Sequence, residues 1–141
     1  MATLSATFDH DTTPYLARTH DDISGLIERL AVLSSRQSVP ALAEVVVHED
    51  PYGKPYLYVG VTPDRGVVWE PGEPGRWTHG QLDAEGDVTF DYVGHGHEIP
   101  ARHLVPLDVV HAVLATYLDH DGAVPDDNPH LRPEGHGRYG E

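Results

Sequence analysis

Leu42-Ala43-Glu44-Val45-Val46-Val47-His48-Glu49 and Tyr56-Leu57-Tyr58-Val59-Gly60-Val61 decide how this chain folds. Both stretches are rich in Val and Tyr and alternate in polarity over part of their length, as half-buried strands do. Between them Asp50-Pro51-Tyr52-Gly53-Lys54-Pro55 has the chemistry of a turn, so the two strands pair antiparallel as a hairpin. Working outward, Thr62-Pro63-Asp64-Arg65-Gly66 turns the chain into a strand over 67–70, and Pro71-Gly72-Glu73-Pro74-Gly75 turns it again toward Arg76-Trp77-Thr78. A further strand over 88–93 follows the polar turn 83–87, and Ala2, Leu4, Ala6 and Phe8 alternate as a short first strand. The expectation is a mostly antiparallel sheet of about five or six strands.

Helical period frames this meander. Asp21 and Asp22 precede Ile23, Leu26, Ile27, Leu30 and Leu33, where carboxylates suit the positive end of a helix of roughly three turns. After Pro106, the residues Leu107, Val110, Val113, Leu114, Tyr117 and Leu118 fall on one face, and Gly122 stands where a helix should stop. Strands bracketed by two amphipathic helices point to the α+β class, with both helices on one face of the sheet. Alternation then places Val45, Val47, Leu57, Val59, Val61, Val88 and Phe90 toward the helices. Glu44, His48, Tyr56, Tyr58, Glu70 and Asp91 fall on the other side, an aromatic and acidic set that resembles an interface. Residues 1–124 form the expected domain, while 125–141 offers only Leu131 and Tyr139 to bury and is expected to be a poorly ordered tail.

Composition narrows the function. Twenty-three Asp and Glu against nine Lys and Arg give a formal charge of -14, which repels nucleic acid and anionic membranes and attracts basic partners. Cysteine is absent, which removes disulfides, thiolate nucleophiles and Cys-based metal sites. The opening residues 1–11 show neither a basic nor an apolar signal region, and no apolar run reaches bilayer length, so the cytoplasm is the expected compartment.

Signals for catalysis are sparse. The serines occur without a Gly-x-Ser-x-Gly elbow, and the single lysine, Lys54, sits in a turn rather than a phosphate-binding loop. His95-Gly96-His97-Glu98 is the one local metal-like motif, since His at i and i+2 of an extended segment point the same way and a carboxylate adjoins them. With eleven His in the chain, close pairs arise by chance, and a solvated pair beside a glycine turn is the simpler reading. A small metal hydrolase using His95, His97 and Glu98 is the competing function. Trp69 and Trp77 flank a turn that carries Glu70 and Glu73, either as core rings or as an aromatic, acidic protrusion suited to anchor a basic partner.

Several short pieces, taken in order, carry a resemblance over about residues 23–122. They are Leu57 to Gly66 ending Asp64-Arg65-Gly66, then Gly75-Arg76-Trp77, then Tyr92-Val93-Gly94-His95 followed by Glu98-Ile99-Pro100, and Val105-Pro106-Leu107 opening the last helix. In these the chain resembles the immunity proteins found beside deaminase-type toxins in bacterial polymorphic toxin systems, the first family in the usual numbering. Gly96 stands where family members often carry an aromatic, and 125–131 lacks the closing strand with Trp expected of the family. The resemblance implies an α+β domain, without catalysis, cofactor or metal, that binds and blocks a cognate toxin. The expected partner is a nucleic-acid-targeting deaminase or nuclease with a basic cleft, and the protein itself a monomer or weak dimer. The expected contact residues are Glu70, Glu73, Trp77, Tyr56, Tyr58 and Asp91, whose carboxylates would imitate phosphates.

Overall fold

The computed structural model describes residues 2–8, 13–72, 75–92 and 95–133. In chain order the elements are β1 (Leu4–Thr7), β2 (Tyr15–Ala17), α1 (His20–Ser35), β3 (Ala41–Val47), β4 (Leu57–Val61), β5 (Arg65–Glu70) and β6 (Arg76–Trp77). There follow β7 (Asp87–Tyr92), β8 (His95–Pro100), a short 3-10 helix (Ala101–His103), β9 (Val105–Pro106), α2 (Leu107–Asp119) and β10 (Arg132–Pro133). The α+β class stands, and the central β3–β4 hairpin forms as the turn chemistry requires, with Glu44 opposite Tyr58 and Leu42 opposite Gly60.

The number of strands is larger than expected: among the described residues ten join one sheet instead of five or six. Its main path runs β10-β6-β5-β4-β3-β1-β2, with β9 on the far edge of β5 and β7 joining β3 through a single parallel pair, Asp91 beside Ala41. The extra strands are of two kinds. β2, β9 and β10 span only two or three residues, too short for any alternation to show. β8 reads His-Gly-His-Glu-Ile-Pro, whose polarity hides a strand that pairs with β7 along its whole length.

Both helices are set by local chemistry. Thr19, rather than either aspartate, caps α1: its hydroxyl accepts the Asp22 N–H at 3.1 Å, and the Asp22 carboxylate accepts the Thr19 N–H at 3.2 Å. A further bond from the Arg18 N–H, at 2.8 Å, is the main reason the Asp22 carboxyl lies below its ordinary pKa. At the end of α2, Gly122 adopts φ +95° and donates its N–H to the Tyr117 carbonyl at 2.8 Å. A Cβ there would also sit 2.3 Å from Val47, so the stop locks the helix end against β3.

Ile23, Leu26 and Leu30 of α1, with Val110, Val113, Leu114 and Tyr117 of α2, bury themselves against Ala43, Val45, Leu57, Val59, Val61 and Val68 of the sheet. The opposite face carries a second, smaller core of Leu42, Val67, Trp69, Phe90, Ile99 and Leu104. This corrects the expected assignment of Val88 and Phe90 to the helix side. Because β7 joins the sheet only at its end, the β7–β8 hairpin lays Phe90 across β4, where a Cβ on Gly60 would meet its ring at 2.7 Å.

The chain also continues to pack beyond the boundary expected at 124. Leu131 is fully buried in the main core, and β10 pairs with β6, Arg132 opposite Trp77. Residues 134–141 lie outside the described residues.

Candidate functional site

Cross-strand pairing builds a row of rings on the face away from the helices. Tyr58 lies directly opposite Trp69, and Trp69 opposite Trp77, so alternation holds all three on one side. Their centroids are 4.8 Å apart at each step, and Trp69 and Trp77 stack within 13° of parallel. His103 continues the stack at 4.6 Å from Trp77, and its Nδ1 donates to the Thr78 carbonyl at 3.0 Å. The other end of the row is wetter. Tyr56, 36% exposed, meets Tyr58 edge-to-face at 5.6 Å, while Tyr92 approaches Tyr58 at 5.8 Å and His97 at 6.0 Å.

A carboxylate sits within this wet end. Glu44 is the cross-strand partner of Tyr58, and its Oε1 accepts the Tyr92 hydroxyl at 3.1 Å. Burial first, then the charge of Glu44, pushes the Tyr92 phenol up to about 12 and raises that of Tyr58 as well. A raised phenol pKa favours the fold below the ordinary value of about 10, and that contribution is lost as pH climbs toward about 12.

The expected contact residues do not all come together. Tyr56 and Tyr58 share the wet end, and Trp77 is half-buried between Trp69 and His103. Asp91 points away from the ring row, on the outer face of the β7–β8 hairpin, because its neighbours Phe90 and Tyr92 take the inner face. Glu73 lies outside the described residues.

Glu70 is a correction. It shares the face of Val68 rather than that of Trp69, and it holds Arg76 through two bonds, Nε to Oε1 at 2.9 Å and NH2 to Oε2 at 3.0 Å. The same guanidinium donates to the carbonyls of Val124 at 2.8 Å and Pro125 at 3.1 Å. Glu70 therefore clamps the segment after α2 onto β6 rather than facing solvent. At 12% and 17% exposure the pair is also close to dry.

The metal-like motif does not assemble either. Strand geometry turns His95 and His97 to one side of β8 and Glu98 to the other, and among the described residues no three His, Asp or Glu side chains form a metal-holding group. Conversely, composition and motifs passed over Glu44, Tyr92 and His97 as a group, although alternation had put Glu44 on the correct face. What was missing was the fold-over of β7–β8, which brings Tyr92 and His97 to Tyr58.

The sequence pattern of immunity protein Imm1 matches residues 11–133, nearly the whole described chain. The chain belongs to the Imm1 immunity protein family. Comparison with curated proteins gave no match. As an Imm1 protein it is an immunity protein directed at a toxin. Among the described residues no helix is long and apolar enough to cross a membrane.

Proposed function

We propose that this Imm1 protein neutralises its toxin by direct, non-catalytic occupation of a basic, nucleic-acid-handling cleft. The contact surface is the wet end of the ring row, Tyr56, Tyr58 and Tyr92, with Glu44 among the rings, while Asp91 and Glu98 on the outer face of the adjoining hairpin add to the long-range field. The observation that carries this is mechanical: Tyr58 is only half-buried, yet it is held against the buried Trp69 at 4.8 Å. An aromatic group fixed before the partner arrives loses little conformational entropy on binding, which is why such rings act as anchors. Charge supports the same reading. A protein of -14 presents carboxylates to a cleft built for phosphates, and neither Asp91 nor Glu98 makes an ion pair among the described residues. Glu73, which the sequence places in the turn after Glu70, remains part of the proposal, whereas Glu70 and Trp77 act through the fold.

The toxin class, a deaminase or nuclease, is what the family resemblance implies, and the negative charge of the protein is in keeping with it. Against the cognate toxin, Asp91→Lys with Glu98→Lys should slow association at low salt by roughly tenfold or more, through the long-range field. Unchanged association and full protection, with the variant folded, would place the contact elsewhere.

A further inference from the structure

Glu44 occupies the middle of β3 on the face away from the helices, with Tyr58 directly across on β4 and the Tyr92 hydroxyl on its Oε1 at 3.1 Å. A carboxylate at a half-buried, central-strand position loses solvation, and natural proteins usually compensate with a cation. None is supplied here: the ion pairs among the described residues are His20–Asp119 and Arg76–Glu70. Oε2 makes no hydrogen bond among the described residues, and it is not sealed from solvent, since no buried side-chain oxygen lacks a partner. Around it stand rings in two orientations. Tyr58 and Tyr92 meet at 74°, and His97 lies 6.0 Å from Tyr58.

We propose that Glu44, enclosed by Tyr58 and Tyr92, is the receptor for one arginine side chain of the toxin. This rests on the reading that the toxin meets this face, and it names the chemistry of the central contact. A guanidinium fits the arrangement in three ways. Its N–H groups can donate to the free Oε2, its plane can lie on a tyrosine ring, and it sheds water more readily than an ammonium. A nucleic-acid cleft carries arginines aimed at phosphate oxygens, and a carboxylate offers the same paired acceptors. The Tyr92 hydroxyl holds the Glu44 carboxylate in place before the partner arrives, so the receptor exists in the free protein.

The experiment uses the full chain in two arms. In the first, N-acetyl-arginine amide is titrated while the tyrosine ring resonances are followed by NMR. Saturable shifts of Tyr58 and Tyr92 are expected in the wild type, absent in Glu44→Gln, and at least about threefold weaker with the matching lysine amide. No shift in the wild type, equal shifts in Glu44→Gln, or a lysine amide that works as well would each overturn the receptor assignment. In the second arm, affinity for the cognate toxin domain is measured. Glu44→Gln keeps the shape and the Tyr92 bond, so its thermal midpoint should stay near wild type while affinity falls roughly thirtyfold, mostly through faster dissociation. If Tyr56→Ala weakens the toxin complex and Glu44→Gln does not, the receptor assignment fails and the surface stands. If neither does, the surface fails and the receptor with it.

Discussion

The two faces of the central sheet are made by the same three strands and differ residue by residue. Toward the helices β3, β4 and β5 present Val45, Val59 and Val68; one position away, on the opposite face, they present Glu44, Tyr58 and Trp69. The first set is aliphatic and dry, closed by two helices. The second is aromatic, covered only in part by the β7–β8 hairpin, and contains a carboxylate bonded to a tyrosine hydroxyl. The contrast separates two jobs that a single sheet must do. Aliphatic side chains stabilise in proportion to area removed from water and recognise nothing, whereas rings with polar tips can be half-buried in the free protein and complete their burial on a partner. In an Imm1 protein, stability should therefore reside on the helix face, and toxin recognition on the other.

The largest test of that division is Leu114→Ala. Leu114 is fully buried between α2 and the sheet, so its truncation leaves a cavity and should cost about 2 to 5 kcal/mol by urea denaturation. A loss under about 1 kcal/mol would show that the helix face is not where stability is held. Next in size is the C-terminal segment. A chain ended at Val124 would lose Leu131 from the main core, β10 from the edge of β6 and the Pro125 carbonyl bound by Arg76. Its thermal midpoint, measured by calorimetry, should fall by more than about 5 °C, the shift that roughly 1 kcal/mol produces in a domain of this size. An unchanged midpoint would return residues 125–133 to the status of a tail, as composition alone suggests.

What the sequence disclosed follows from which elements have a period to read. The two helices and β3, β4 and β7 were legible because apolar residues recur along them at helical or strand spacing, and β5 because turns bracket it. β8 was not, because its side chains are mostly polar and its place is set by pairing to β7. Alternation also says that a residue is buried without saying beneath which layer. Val88 and Phe90 are apolar on either account, and only the single β3–β7 pair sends them to the far face. The face of Glu70 was misread for a related reason. Val67 and Val68 are both buried, one on each face, so the apolar pattern of β5 gives no parity, and an acidic side chain looked solvent-facing. Its partner Arg76 lies six residues on, but the pairing that joins them is a property of the β5–β6 register.

Glu70 supplies the third test. Glu70→Gln removes the charge from a nearly dry, doubly bonded pair and leaves the Arg76 guanidinium short of a counter-ion, at a cost of about 1 to 3 kcal/mol. Affinity for the toxin, measured well below the melting temperature, should change less than about threefold, because this side chain lies off the ring row. Weakened toxin binding in a variant whose melting temperature is unchanged would move Glu70 back to the interface and blur the two faces.

The smallest effect on stability is expected at Tyr56, and it sharpens the comparison most. The residue is 36% exposed and makes its aromatic contact with Tyr58 alone among the described residues, so Tyr56→Ala gives up one edge-to-face contact and part of the covered area of one ring. The cost should stay at about 1 kcal/mol, well below that of Leu114→Ala. Binding should respond differently, because a ring that is half wet in the free protein gains its remaining burial only against the toxin. Dissociation of the toxin complex should speed up by roughly tenfold or more, while association, governed mainly by long-range charge, should hold nearly constant. The salt dependence of association should also stay as in the wild type, since no charge is removed. Stopped-flow association and dissociation rates, with urea denaturation on the same preparation, decide the matter. A stability loss as large as that of Leu114→Ala would make Tyr56 a core residue, and unchanged dissociation would take it out of the interface.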